Sequence, residues 1–143
     1  MHWAERIAEE LINENPLKEE FLCVAGTSPS GSVHIGNFRD VATPLFVVEA
    51  LKRKGKKARL MLSWDEFDRL RKVPKNIAAI APDFEKYIGM PYCMIPDPHG
   101  KYSSFAEYNE KEYEESLKEL GIDIEYRYQG KEYMMGECEL NII

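Results

Sequence analysis

Apolar positions recur along the chain at two periods. Trp3, Ile7, Ala8, Leu11 and Ile12 fall on one face at helical spacing, which predicts a helix over residues 3–14, ended by Asn15 and Pro16. Residues 21–25 (FLCVA) are almost wholly apolar, the pattern of a buried parallel strand. Residues 26–32 contain only Gly, Ser, Thr and Pro and read as a loop. A second helix is expected from His34 or Gly36 to Lys54, with Gly55 as its stop. Pro44 falls inside it, removes a backbone donor and should kink it near Asp40 or Val41. Residues 58–63 form the next strand, and the charged stretch after them a loop. Residues 77–89 suggest a short helix broken around Pro82. Residues 103–120 give the clearest helix: Phe105, Tyr108, Tyr113, Leu117 and Leu120 approximate one face, and Gly121 stops it. Residues 122–128 alternate like a strand.

Strands separated by helices imply an α/β fold with a parallel sheet and right-handed crossovers. The expected sheet has residues 21–25 beside 58–63, with 122–128 beyond them. That is half of a doubly wound, Rossmann-type nucleotide-binding fold. No repeat, low-complexity tract or internal linker interrupts residues 1–143, so a single domain is expected.

Composition narrows the class. Hydrophobic residues make up 44% of the 143 and charged residues 31%, a balance that excludes a disordered or membrane-embedded chain. No apolar run approaches a membrane span, and the first ten residues lack a signal-peptide core, so a cytoplasmic protein is expected. Cys23, Cys93 and Cys138 are odd in number and form no CxxC pair, which argues against a zinc site or disulfide framework; Cys23 reads as a small core residue. No metal site is expected. A net charge of −6 argues against non-specific nucleic-acid binding. Charge is uneven, however: Lys52, Arg53, Lys54, Lys56, Lys57 and Arg59 form one basic group, and Arg69, Arg71, Lys72 and Lys75 another. Residues 107–119 are strongly acidic. These read as solvated helix ends and a solvated helix face; the alternative for the basic groups is contact with phosphates.

Candidate chemistry concentrates between the first strand and the second helix, in Gly26-Thr27-Ser28-Pro29-Ser30-Gly31-Ser32-Val33-His34-Ile35-Gly36-Asn37. Open α/β sheets bind ligands off the carboxyl ends of their strands. A helix N-terminus there offers unpaired N–H groups and a positive dipole, both suited to phosphate. Gly31 and Gly36 allow close backbone approach, and His34 can donate to a phosphoryl oxygen. The loop is neither a Walker loop nor GxGxxG.

His34-Ile35-Gly36-Asn37 resembles the HIGH motif of class I aminoacyl-tRNA synthetases and related nucleotidylyltransferases. A wider set of residues is similar to class I lysyl-tRNA synthetase: His2-Trp3-Ala4, Ser28-Pro29-Ser30-Gly31, Trp64-Asp65-Glu66-Phe67-Asp68-Arg69-Leu70-Arg71-Lys72-Val73-Pro74, Tyr87, Gly89-Met90-Pro91, Pro96-Asp97-Pro98, Ser104-Phe105-Ala106-Glu107 and Leu120-Gly121-Ile122. This resemblance implies activation of lysine by ATP with Mg2+ to lysyl-adenylate, then transfer to tRNA(Lys). It implies catalytic roles for His34 and Asn37, and ATP binding by Pro29, Ser30, Gly31, His34, Gly36 and Asn37. It places the amino acid at Gly26 and Ser28. Asp65 or Asp68 could then neutralise the lysine ammonium, or the two could pair with Arg69, Arg71 or Lys72. Trp64 reads as core, with stacking on a base as the alternative; His2 and His99 read as incidental.

The chain departs from the family pattern at Thr27, where an aliphatic residue is common, at His99, where an aromatic is expected, and at Pro44. No KMSKS-like lysine loop and no anticodon-binding helices are present in these residues, so a fragment or short paralogue is expected, binding ATP and lysine weakly. Self-association is expected too, through the edge strand and open face of half a sheet. Two other classes stay open: a nucleotidylyltransferase with an HxGH-type loop, and a non-catalytic synthetase-like module that binds tRNA or a partner protein.

Overall fold

The computed structural model describes residues 2–32 and 34–135; Cys138 lies outside them. In chain order the elements are α1 (Trp3–Glu14), β1 (Glu20–Thr27), α2 (Ile35–Arg53), β2 (Lys57–Trp64), α3 (Lys75–Ile80), two 3-10 turns (Phe84–Tyr87 and Tyr92–Met94), α4 (Phe105–Glu119), β3 (Glu125–Tyr128) and α5 (Gln129–Met135). The strands form a parallel sheet in the order β1-β2-β3, a Rossmann-like half-domain flanked by helices. Among the described residues no helix is long and apolar enough to cross a membrane. The chain divides into two compact units.

The first unit contains residues 2–27, 34–63 and 123–127. Helix α1 begins where His2 Nδ1 accepts the Ala4 N–H at 3.3 Å and ends at Asn15. It packs on α2. Ala4 and Ala8 are fully buried, and their small side chains let the helices approach closely. Helix α2 runs unbroken through Pro44 and ends at Lys54, after which Gly55 turns the chain with φ +80°, a conformation glycine adopts without strain. Strand β2 buries Ala58, Leu60 and Leu62 at the two-residue period of a strand.

Strand β1 departs from expectation. It buries Phe21, Ala25 and Thr27, but Leu22 and Val24 on the alternate positions are 42% and 55% exposed. The strand is covered on one face only; apolar content alone does not say how many faces a sheet has covered. It also extends through Gly26 and Thr27, so the loop begins at Ser28. Arg59 of β2 reaches Glu20 of β1 at 2.8 Å and Glu125 of β3 at 2.7 Å, tying the three strands in register by a cross-strand ion triad.

The second unit contains residues 28–32, 64–122 and 128–135. Its core gathers Leu70, Ile77, Phe84, Tyr92, Ile95, Phe105 and Ala106. The Phe105 ring lies 5.4 Å from that of Phe84 and 5.9 Å from that of Tyr92. Trp64 is core, as expected: it is 2% exposed, edge-on to Tyr113 at 5.5 Å, and its indole N–H donates to Glu114 at 3.2 Å.

Helix α4 opens with a variant of the capping box, in which the carboxylate reaches the residue before the cap. Ser104 Oγ accepts the Glu107 N–H at 3.1 Å, while the Glu107 carboxylate accepts the Ser103 N–H at 3.1 Å. Its buried face is Phe105, Ala106, Asn109, Glu110, Tyr113 and Leu117, whereas Leu120, past the helix end, is 63% exposed. The acidic run is therefore not wholly a solvated face, because Glu110 points inward. The last strand begins at Glu125 rather than Ile122, and α5 follows it directly. His99 is not incidental. Its ring stacks on Tyr108 at 3.9 Å and thus fills the expected aromatic position, and its Nδ1 lies 3.2 Å from Asp97. Asp97 also accepts N–H bonds from His99, Lys101 and Tyr102; these hold its carboxyl below the usual range although burial alone would raise it.

Candidate functional site

The motif residues divide between the units, and each part has its own geometry. In the first unit, His34 caps α2: its Nδ1 accepts the Gly36 N–H at 3.1 Å. That bond fixes the tautomer. A neutral imidazole accepting at Nδ1 carries its proton on Nε2, which leaves Nε2–H as a donor. A Cβ on Gly36 would lie 2.9 Å from the imidazole Cε1 and Nδ1, so the cap closes over a position only glycine fills without displacement. The first turn of α2 holds no acidic residue, so the positive end of the helix is not neutralised from within. His34, Ile35 and Gly36 are exposed and Asn37 half-buried. Gly26 lies in β1, ahead of this turn.

In the second unit, the loop is anchored rather than loose. Pro29 is fully buried, and its carbonyl accepts the side-chain amide of the buried Asn109 at 3.1 Å. The Ser30 N–H donates to the Ser28 carbonyl at 2.9 Å, and the Ser28 hydroxyl donates to the Asp68 carboxylate. A Cβ on Gly31 would meet Pro74 at an ordinary 3.7 Å, so sterics do not demand glycine there. Asp65 Oδ1 accepts from Gln129 Nε2 at 3.1 Å; burial first, and the nearby Asp68 charge second, push its carboxyl above the usual range. Among the described residues neither Asp65 nor Asp68 pairs with Arg69, Arg71 or Lys72; Arg69 donates instead to the Gly89 carbonyl at 2.9 Å.

The first basic group is largely occupied. Lys54 meets Glu9 at 2.7 Å, Lys52 meets Glu49 at 3.5 Å, and Arg59 belongs to the sheet triad. Sequence reasoning missed a buried polar cluster of the second unit. Glu66 and Glu110 are in hydrogen-bond contact, and burial, that contact and the charges of Glu66 and Glu114 push the Glu110 carboxyl up to about 9. Glu66 also accepts the Gly130 N–H, and Glu114 accepts the Tyr128 hydroxyl. A signal existed: Glu110 is four residues after Ala106 and three before Tyr113, on the apolar face of α4.

A parallel half-sheet whose first strand leads through a Ser-Pro-Ser-Gly turn to a histidine-capped helix is the architecture of a nucleotide-binding α/β protein. Residues 1–143 match the family described as tRNA synthetases class I (K). The chain is 41% identical over 136 residues to the lysine–tRNA ligase of Treponema pallidum (strain Nichols), covering 95% of this chain and 26% of that protein. It is 40% identical to the lysine–tRNA ligase of Pyrococcus horikoshii, over 96% of this chain and 26% of that protein. With the enzyme of that name from Archaeoglobus fulgidus the identity is 36%, over 99% of this chain and 27% of that protein. The chain belongs to the class I lysyl-tRNA synthetase family. It spans about a quarter of the length of these relatives.

Proposed function

We propose that this chain is the first part of a HIGH-motif catalytic domain that activates lysine with ATP and passes the lysyl group to tRNA(Lys) in the cytoplasm. One observation carries the reading: the head of α2, where His34 spends Nδ1 on its own helix and keeps Nε2–H as a donor. In the activation step a lysine carboxylate oxygen attacks the α-phosphorus of ATP, and the bond to pyrophosphate breaks. Such chemistry depends on positioning and on stabilising phosphoryl charge. His34 donates to a phosphoryl oxygen and the uncompensated helix end attracts the negative charge. Pro29, Ser30, Gly31, Gly36 and Asn37 line the nucleotide. Gly26 and Ser28 hold the amino acid, and Asp65 faces its ammonium.

Mg2+ enters with the triphosphate as part of the substrate, an ion commonly held by phosphates with one or two carboxylates.

These 143 residues contain no KMSKS-like lysine loop to neutralise departing pyrophosphate. By themselves they bind ATP weakly and charge no tRNA at a useful rate. The exposed Leu22 and Val24 support self-association of the isolated chain, which sedimentation tests. The functional test is ATP–pyrophosphate exchange with a panel of amino acids, on this chain and on a version extended to the length of its relatives. The extended protein is expected to exchange with lysine alone. Exchange with a different carboxylic acid substrate, or tRNA binding without nucleotide binding, would overturn the reading.

A further inference from the structure

The second unit has a cavity of about 410 Å3, open to solvent on one side, whose walls include Glu66, Phe67, Met94, Glu110, Tyr128 and Lys131. Glu110 is 2% exposed, and its Oε1 has no hydrogen-bond partner. Glu66, 8% exposed, stands beside it with Oε2 occupied by the Gly130 N–H. The surrounding charged and titratable groups are engaged elsewhere. Lys111 Nζ lies 3.3 Å from Glu114, which also accepts from Trp64 and Tyr128. Glu107 accepts from Ser103, and Lys131 Nζ sits 4.6 Å over the Tyr128 ring. The Cys93 thiol is pushed up by burial and then by Glu66 and Glu110, so it stays neutral. A buried acceptor without a donor is a cost that native folds avoid unless a ligand or function answers it.

We propose that this cavity binds a primary alkylammonium, with its N–H donors on Glu110 and Glu66 and its apolar stem along Phe67 and Met94. An ammonium brings three donors and no acceptor, which matches an orphan carboxyl oxygen beside a second carboxyl. A guanidinium fits less well, because its fork asks for both oxygens of one carboxylate and Glu66 has given one to Gly130. A metal ion fits less well again, since no three ligating side chains converge among the described residues.

Binding has a proton balance. In the free protein Glu110, buried and set against the charges around it, holds its proton up to a pH of about 9. When the ammonium enters, the Glu110 O–H bond breaks, the proton passes to water, and the resulting carboxylate accepts an N–H. One ammonium is taken up and one proton released. Affinity therefore rises about tenfold per pH unit below that point.

The site lies wholly within the second unit and goes beyond the nucleotide reading; failure of lysine activation would leave it standing. The test is calorimetry of n-butylammonium on the full chain between about pH 6.5 and pH 8.5, with buffers of different ionisation enthalpy to count protons. The expected result is tightening of about tenfold per pH unit with one proton released, and no binding of butanol. Glu110→Gln matches the neutral carboxyl in shape; it should keep the native NMR spectrum, lose the pH dependence and bind at least about tenfold more weakly at the upper pH. Should the first variant unfold, Glu66→Gln removes the second acceptor and should likewise bind at least about tenfold more weakly at the upper pH. Free L-lysine and Nα-acetyl-L-lysine amide separate the two sources of this chemistry: preference for the first assigns a free amino acid, and equal binding a lysine side chain of a polypeptide. Absence of binding by all three amines, or butylammonium affinity unaltered by pH or by both substitutions, overturns the proposal.

Discussion

Helices α1 and α2 start the same way and end up with different chemistry. Each is capped by a histidine whose Nδ1 accepts the N–H two residues on: His2 from Ala4 at 3.3 Å, His34 from Gly36 at 3.1 Å. The neighbours differ. His2 lies against the rings of Trp3 and Phe46, at 5.4 and 6.2 Å, and Glu5 puts a carboxylate in the first turn of α1. Among the described residues His34 has no such ring contact, and the first turn of α2 holds no acid. Position N2 is alanine in α1 and glycine in α2. A histidine cap is thus a structural device in both places. What suits the second to the phosphate role proposed for it is the uncompensated dipole, the missing side chain beneath the ring and the loop that precedes it.

Removing the two caps in turn should break the comparison most visibly. In the protein extended to the length of its relatives, His34→Ala is expected to slow lysine-dependent pyrophosphate exchange by roughly 10²–10³-fold. His2→Ala should cost about 1 kcal/mol of stability and leave exchange unchanged. His34→Asn keeps a capping acceptor but loses the Nε2 donor, so it should restore thermal stability without restoring exchange. Recovery of both would reduce His34 to a cap.

A smaller effect comes from making α2 resemble α1 at N2. Gly36→Ala sets a methyl group 2.9 Å from the imidazole, so the ring must move. Exchange should fall about tenfold, equivalent to about 1.4 kcal/mol of transition-state stabilisation. His2 tolerates Ala4, and Ala4 is fully buried, so Ala4→Gly should lose helix propensity and one buried methyl, about 1–2 kcal/mol in a melt, and leave exchange unchanged.

The smallest effect concerns charge. Ile35 is 83% exposed, and Ile35→Glu gives α2 the first-turn acid that α1 already has. Dipole compensation of about 0.3–1 kcal/mol should slightly raise the melting temperature while weakening ATP binding up to about fivefold. Unchanged ATP affinity, read by competition binding, would mean that the helix end does not face phosphate.

Much of this was legible because it rests on local rules. Caps and stops set α1, α2 and α4, apolar alternation set β2, and His34-Ile35-Gly36-Asn37 stood where strand meets helix. What stayed hidden depends on partners distant in the chain. Leu22 and Val24 look like core in any list of residues, but their exposure depends on what covers the sheet. Residues 107–119 carry acids on every turn, so charge could not show which one turns inward; only the register of Ala106, Tyr113 and Leu117 does. Helix α5 was missed because its start is held from far away: Gln129 by Asp65, Gly130 by Glu66 and Tyr133 by the Phe67 ring at 5.1 Å.

The central claim is that the loop before α2 and the head of α2 hold the ATP phosphates. NMR titration of ATP into the isotopically labelled chain, beside the His34→Ala variant, tests it most directly. The account predicts saturable amide shifts at Ser30, Gly31 and Gly36 in the parent chain, and a marked weakening in the variant. Shifts confined to other residues, or an identical titration in the variant, would contradict it.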